Sequence, residues 1–354
     1  MVLRNRTALK LVITGVAPQQ AYGHQVNDAT AAQTQAMRTN LKSATQFGGT
    51  YACTATCLTY LFGPSVDPYI KNTTEQLDMW FQTWEKIDAI ERKATRVTWA
   101  TIVGRLLKGE TLSCPRGPLE ATVRALISLH WQPSAPDRWV LATDLKGNAT
   151  QWVDLSCGGS VRFQVTAKAS NDAQILLWKK AAAHAYGSGL ETGIPSLEPA
   201  KSTIRSFRKK GFASEAKALE TVMVGSYRFD CKEGVVGRCK RCTKVVRLGR
   251  KHDFYHCADN DLIDEPAFIK ASKRIKRHVE KFDEHQCLWM RGMVPRELLK
   301  DFEGPEIHEA RIWESTNFGE TINRSGIGYA KGRTVWSDHF NDTSPQQRLC
   351  KAGN

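Results

Sequence analysis

The sequence predicts an α+β fold that is mainly helical, and three observations predict it. Apolar residues recur every three or four positions from Asp67 to Trp131, the period of helices that bury one stripe. A single hairpin signal lies near 138–155, where two Trp-bearing apolar runs flank a Gly-Asn turn. Then Cys239, Cys242, His252 and Cys257 stand at Cys-x2-Cys-x9-His-x4-Cys spacing, which calls for a small metal-closed loop rather than a regular element. A short, incomplete β region follows toward the C-terminus.

The elements follow in chain order. Met1 to Ala17 places Arg4, Arg6 and Lys10 before Leu11-Val-Ile-Thr-Gly-Val-Ala17, the outline of a secretion signal. That apolar run is only about seven residues long and contains Thr14 and Gly15, so it reads as a strand or buried segment. Residues 28–43 read as a helix, broken at Gly48-Gly49. Cys53 and Cys57, four apart in a Thr- and Ala-rich stretch, read as small buried residues rather than ligands. Asp67-Pro68 opens a long helix whose stripe of Leu77, Trp80, Trp84, Ile87 and Ile90 faces a core. Trp99, Ile102, Leu106 and Leu107 mark a second amphipathic helix, and after the turn Cys114-Pro115-Arg-Gly117-Pro118 residues 119–131 form a third.

Pro133 and Pro136 end that helix. Arg138-Trp139-Val140-Leu141 and Gln151-Trp152-Val153-Asp154-Leu155 then flank Lys146-Gly147-Asn148, a hairpin with Trp139 and Trp152 as packing partners. From Asn171 the chain turns helical, with Ile175, Trp178, Ala182 and Tyr186 on one face and Lys179 and Lys180 toward water. Gly187-Ser-Gly189 and Ile194-Pro195 form a linker, and residues 200–210 and 213–224 read as helices. Asp264-Glu265-Pro266 opens a helix with Phe268, Ile275, Val279 and Phe282 as its seam. Beyond Pro295, Ile312-Trp313, Gly326-Ile327-Gly328-Tyr329 and Thr334-Val335-Trp336 read as short strands.

The cysteine–histidine set carries the most chemistry. Three thiolates and one imidazole close a tetrahedral site around one Zn²⁺, with Cys-x2-Cys presenting two sulfurs to one ion. His256 is a rival to His252, but it directly precedes Cys257, and adjacent side chains point apart. Free thiols are the competing reading of the cysteines. Ten cysteines in 354 residues are too few for a disulfide scaffold and imply a reducing compartment. No apolar run approaches the roughly 18–20 residues of a membrane span. The expected location is therefore intracellular, nucleus or cytoplasm, neither secreted nor in a membrane.

Formal net charge is +14, which suits a polyanionic partner. Between Arg228 and His256 lie Arg228, Lys232, Arg238, Lys240, Arg241, Lys244, Arg247, Arg250 and Lys251 against Asp230, Glu233 and Asp253. Lys270, Lys273, Arg274, Lys276 and Arg277 continue the basic run, beside Phe254, Tyr255 and Phe268, which are suited to stacking on bases. Arg238, Lys240, Arg241, Lys244, Arg247, Arg250 and Lys251 are the candidate phosphate contacts and Tyr255 the candidate stacker. A solvated charged face is the alternative. Asp259, Asn260 and Asp261 read as a solvated turn.

Gly15-Val-Ala-Pro18-Gln-Gln-Ala-Tyr22-Gly23-His-Gln-Val26 resembles the segment just after the palm of a non-LTR (LINE-type) retrotransposon reverse transcriptase, where the thumb begins, and Met37-Arg38 fits the helix after it. The hairpin, the Leu177-Trp178-Lys179 helix, the CCHC knuckle and Cys287-Leu-Trp289-Met-Arg291-Gly292-Met-Val-Pro295 follow in that family's order. The resemblance implies a thumb remnant over 1–45 and a helical connector with its β-hairpin over 46–195. It places helices with the knuckle at 239–257 and a basic helix over 196–295, and a truncated ribonuclease H-like start over 296–354. In that last segment Ile312-Trp313-Glu314-Ser315-Thr316-Asn317 stands where the family has a strand ending in a metal-binding aspartate, and Ser325-Gly-Ile-Gly-Tyr-Ala330 stands as a second strand.

No catalytic residues are expected. One glutamate cannot hold the two ions of ribonuclease H chemistry, and no Tyr-x-Asp-Asp palm motif or Gly-x-x-x-x-Gly-Lys loop occurs. Asp338-His339 and the pair His278 and His285 have no nucleophile at a diagnostic spacing. The expected function is that of a fragment of a retrotransposon-derived polyprotein, not an enzyme, that binds RNA or single-stranded DNA through one zinc. Other proteins of the same element are further candidate partners. Two rivals remain: a structural or protein-interaction module with a purely structural zinc, and a subunit completed in trans by a reverse transcriptase palm.

Overall fold

The computed structural model describes residues 11–20, 22–24, 28–45, 52–110, 117–143, 149–155, 159–226, 235–249, 251–264, 269, 284–299 and 327–331. The chain is mainly helical with small antiparallel strands. A helical segment, Val12–Val16 continuing into Ala17–Gln20, precedes helices α1 (Ala31–Ser43), α2 (Thr54–Phe62), α3 (Pro68–Lys86), α4 (Ala89–Leu107) and α5 (Pro118–Ser128). Strands β1 (Gln132–Ala135), β2 (Arg138–Thr143) and β3 (Ala149–Asp154) come next, then helices α6 (Gly159–Ala182), α7 (Glu198–Lys209) and α8 (Ala213–Met223). Strands β4 (Val236–Arg238) and β5 (Val245–Arg247), helices α9 (Gln286–Arg291) and α10 (Arg296–Leu299), and strand β6 (Ile327–Lys331) complete the order. Two compact units divide the chain, one of residues 1–44, 62–174 and 306–354, the other of 45–61 and 175–305.

In the first unit the apolar run 11–17 is helical throughout, not a strand, and only partly buried: Val12 and Ala17 are inside, whereas Leu11, Thr14 and Val16 are exposed. Helix α1 begins after Asp28, whose φ is +56°. Thr30 Oγ1 accepts from Gln33 N at 3.1 Å, and the Gln33 side chain accepts from Thr30 N at 2.8 Å, a reciprocal cap that satisfies two otherwise orphaned amides. Asp67 caps α3 by accepting from Tyr69 N at 3.0 Å, and Arg38 Nε stands 3.0 Å from the same carboxylate. Burial pushes the Asp67 carboxyl up, and Arg38 opposes the shift.

Leu77, Trp80 and Trp84 of α3 are buried, but the stripe does not run on to Ile90. Asp88 and Glu91 form a second reciprocal cap, which starts α4 and resets the helical phase. Ile90 is left 81% exposed. Two buried indoles, Trp80 and Trp99, donate to the carbonyls of Pro136 and Pro133 at 2.8 and 2.9 Å. Proline has no ladder amide to offer, yet here its carbonyls satisfy the polar ends of the aromatic core.

The antiparallel sheet runs β1-β2-β3-β6. Val140 pairs with Trp152 and Trp139 with Val153. Trp139 and Trp152 therefore occupy opposite faces and are not each other's packing partners. Trp139 is fully buried edge-on to Phe81, with centroids 5.4 Å apart, whereas Arg138 covers Trp152 at 5.5 Å. The strand Ile327–Lys331 lies beside β3 as the fourth of this sheet. Arg162 clasps Asp78 of α3 with Nε–Oδ1 and Nη2–Oδ2 distances of 2.5 and 2.7 Å.

Helix α6 begins at Gly159, well before the expected Asn171; Val161, Val165, Ala169, Ala173, Leu177 and Ala181 are buried at every fourth position, and Trp178 of the expected face is buried beside them. Ile175 and Ala182 sit off that line and are half-buried. In the second unit Cys53 and Cys57 are buried. Burial raises the Cys53 thiol, but Arg291 and Thr56 outweigh it and the net shift is downward. Arg291 is itself wholly buried, donating from Nε to Met223 O at 3.0 Å and from Nη2 to Thr56 Oγ1 at 2.6 Å. Buried Glu220 of α8 accepts from Tyr60 Oη at 2.5 Å and also from Arg208 of α7. The seam expected on Phe268, Ile275, Val279 and Phe282, the basic residues Lys270 to Arg277, and the stretches at 312–317 and 334–336 lie outside the described residues.

Candidate metal centre

The site is assembled by two turns of the second unit. Strands β4 and β5 pair antiparallel, with Val236 opposite Arg247 and Arg238 opposite Val245. Cys239 follows β4 directly, and its N–H donates to Lys244 O at 2.9 Å, while Thr243 N returns to Cys239 O at 3.0 Å. These bonds curl residues 239–244 into a tight loop, for which Thr243 adopts a φ of +60°. Cys239 and Cys242 thereby reach the same side.

The other two ligands come from a wide helical turn, His252–His256. Cys257 N donates to His252 O at 2.7 Å, so both ends of the turn close on one point. Asn260 clamps it from below. This residue is buried, and its Nδ2 donates to Asp253 O at 3.0 Å and Phe254 O at 3.2 Å. The solvated turn expected at 259–261 is thus a structural brace at Asn260, because an amide side chain can satisfy two carbonyls that the wide turn leaves open. Arg241 adds a further bond, from Nη1 to Asp253 O at 3.3 Å.

The ligand atoms of Cys239, Cys242, His252 and Cys257 all lie within 4.8 Å of one another, a cluster that could hold one metal ion. Cys242 Sγ stands 3.5 Å from His252 Nε2. Cys239, His252 and Cys257 are buried and Cys242 partly exposed. The Lys244 backbone amide, with help from Cys239, His252 and Cys257, holds the Cys242 thiol down at about 6, whereas burial pushes that of Cys257 up. His256 is exposed and outside the cluster, so it is His252 that the structure brings to the three cysteines.

Arg238, Lys240, Arg241, Lys244 and Arg247 are all exposed around the loop, and Lys251 is half-buried. Arg250, Arg228 and Lys232 lie outside the described residues. Tyr255, expected to be exposed, is not fully open. It is half-buried, packs with Phe254, Trp289 and Tyr186 about Met290, and its hydroxyl donates to Trp289 O. The ribbon itself was missed by periodicity, since three-residue strands are too short to show an alternation. The available signal was Val-Gly-Arg and Val-Val-Arg bracketing the first cysteine pair. Among the described residues no helix is long and apolar enough to cross a membrane. Compared with family models, with curated proteins and with solved structures, the chain matches none of them.

Proposed function

We propose that the loop of residues 239–257 binds one Zn²⁺ and, so closed, binds RNA or single-stranded DNA. Sulfur-rich donor sets with a single imidazole suit zinc in a closed, structural site. Zinc–sulfur bonds of about 2.3 Å make tetrahedron edges of about 3.8 Å. A small adjustment of four atoms already within 4.8 Å of one another reaches that geometry. Four protein ligands would fill a tetrahedral shell, which supports a metal used for folding rather than for catalysis.

The observation that carries the nucleic-acid reading is the convergence of the four ligand atoms inside a loop whose rim exposes Arg238, Lys240, Arg241, Lys244 and Arg247. Between Val235 and Lys251 there is no acidic residue, so the ribbon and its connecting turn present one sign of charge. Phosphate contacts of this kind release counterions and give binding that falls steeply with salt. The likeness of the chain's segment order to non-LTR retrotransposon proteins supports the same class of partner. In this reading the chain is a nucleic-acid-handling part of such a polyprotein and carries no catalytic centre.

The test is anisotropy of a labelled oligonucleotide titrated with zinc-loaded protein at several salt concentrations. The parent binds at low salt and loses affinity by an order of magnitude or more as salt rises, roughly as expected for several phosphate contacts. Replacing Lys240, Arg241, Arg250 and Lys251 together by Ala weakens all sequences alike and flattens the salt slope. If the quadruple variant binds as tightly as the parent, or neither binds at low salt, the charge is only solvated and the loop is a structural or protein-interaction module.

A further inference from the structure

We infer that the outward face of the β4–β5 ribbon, formed by Val236, Arg238, Val245 and Arg247, grips a single strand of nucleic acid, with the valines against base faces and the arginines on phosphates. This rests on the nucleic-acid reading of the loop and assigns the strand to one face of it. Residues directly opposite in an antiparallel pair share a face, and faces alternate along each strand. The pairs Val236–Arg247 and Arg238–Val245 therefore put all four side chains on one side.

The other side of the ribbon is filled from within. Gly237 and Val246 occupy it, and a Cβ on Gly237 would stand 2.7 Å from Leu248 Cδ1. All four outward side chains are exposed, Val236 by 70% and Val245 by 66%. The two valines lie on one diagonal and the two arginines on the other, each pair about 7–8 Å apart. That separation is comparable with the step between successive nucleotides of an extended strand.

Apolar side chains so placed gain from contact with bases only where the base faces are open. A duplex stacks those faces away, whereas an unpaired strand offers them, and the contact tolerates any sequence. Guanidiniums flanking each valine set the charge complementarity, and exposed Lys240 and Lys244 on the connecting turn extend it along the strand. The apolar contact thus belongs to the ribbon, not to Tyr255.

The experiment compares an unstructured single-stranded oligonucleotide with a duplex of the same sequence, using the full zinc-loaded chain. A Val236→Thr/Val245→Thr variant keeps the branched shape and strand preference, and a Val236→Ser/Val245→Ser variant removes more apolar surface. The expected result is a selective loss for the single strand, about tenfold in the serine variant and less in the threonine variant, with the salt slope retained. An Arg238→Gln/Arg247→Gln variant should weaken both forms and lower the salt slope by about two. Zinc content of each variant is measured alongside, and if the serine variant loses its metal the threonine variant decides. Single-strand affinity unchanged in the valine variants overturns this inference alone. Failure of the parent to bind either form at low salt overturns the proposed function with it.

Discussion

Cys242 Sγ lies 3.5 Å from His252 Nε2, although nine residues separate them in the chain. The contact joins the ribbon turn to the wide turn beyond it. A metal at this point would replace sequence-distant loop closure with four bonds, so the folding of the loop and the binding of the ion become one equilibrium. We expect one zinc per chain by elemental analysis, none in Cys242→Ser, and loss of the loop's order on chelation. His252→Ala should also lose the metal, while exposed His256→Ala keeps it. Metal-free parent protein, or equal zinc in the two histidine variants, would refute the assignment.

Tyr255 gives a second test, because its hydroxyl is committed to Trp289 O and burial pushes its pKa up to about 12. Tyr255→Phe should cost about 1 kcal/mol of stability, the ordinary net worth of one hydrogen bond, and leave oligonucleotide affinity within about twofold of the parent, a difference well below 1 kcal/mol. A large loss of affinity at unchanged stability would restore the ring to the binding face.

The buried guanidinium of Arg291 holds Met223 O and Thr56 Oγ1 together. Arg291→Met keeps apolar volume but leaves both acceptors without that donor, and we expect destabilisation of about 2–4 kcal/mol in urea unfolding. Thr56→Val should cost about 1 kcal/mol. Parent-like stability in Arg291→Met would show that these two acceptors do not need the guanidinium.

Asp78 supplies a pH test. Its hydrogen bonds from Arg162 hold the carboxyl below its ordinary value, with partial burial opposing them. A depressed folded-state value means the stabilisation is present above the unfolded value of about 3.9 and is lost as pH falls through the folded one. Both side chains are about a third exposed, so screening limits the pair to about 1 kcal/mol. The melting temperature of Asp78→Asn should lie below the parent's at pH 7, with the gap narrowing below about pH 4. A gap that stays constant down to pH 2 would exclude the linkage.

Much of the helical framework is legible in the chain because helices announce themselves by a short-range period. Leu77, Trp80, Trp84, Trp99, Ile102 and Leu106 recur at that period and are buried. The same reading failed at Ile90, where the Asp88–Glu91 cap resets the phase without breaking the apolar rhythm. It also places the start of α6 too late, since Val161, Val165, Ala169 and Ala173 are small residues in a mostly polar stretch and leave a faint pattern. Trp139 and Trp152 looked like partners until the register placed them on opposite faces. A shift of one residue reverses a side chain's face, and nothing local reports it.

Local chemistry in the chain narrows the metal ligands to Cys239, Cys242, Cys257 and one of two histidines, because thiolates and imidazoles at short spacings leave few alternatives. It also determined the sign of charge around them and the stripes of the main helices. Folding alone brings His252 rather than His256 to the cysteines, makes Asn260 a brace and packs Tyr255 into the cluster about Met290. It alone set Val236 and Val245 beside Arg247 and Arg238 on one open face, and brought Arg291 to Thr56 across 235 positions of chain. The physical reason is common to these cases. Donor chemistry and helical period are carried by neighbours in sequence, whereas burial, register and the pairing of distant polar groups are properties of the whole packed chain.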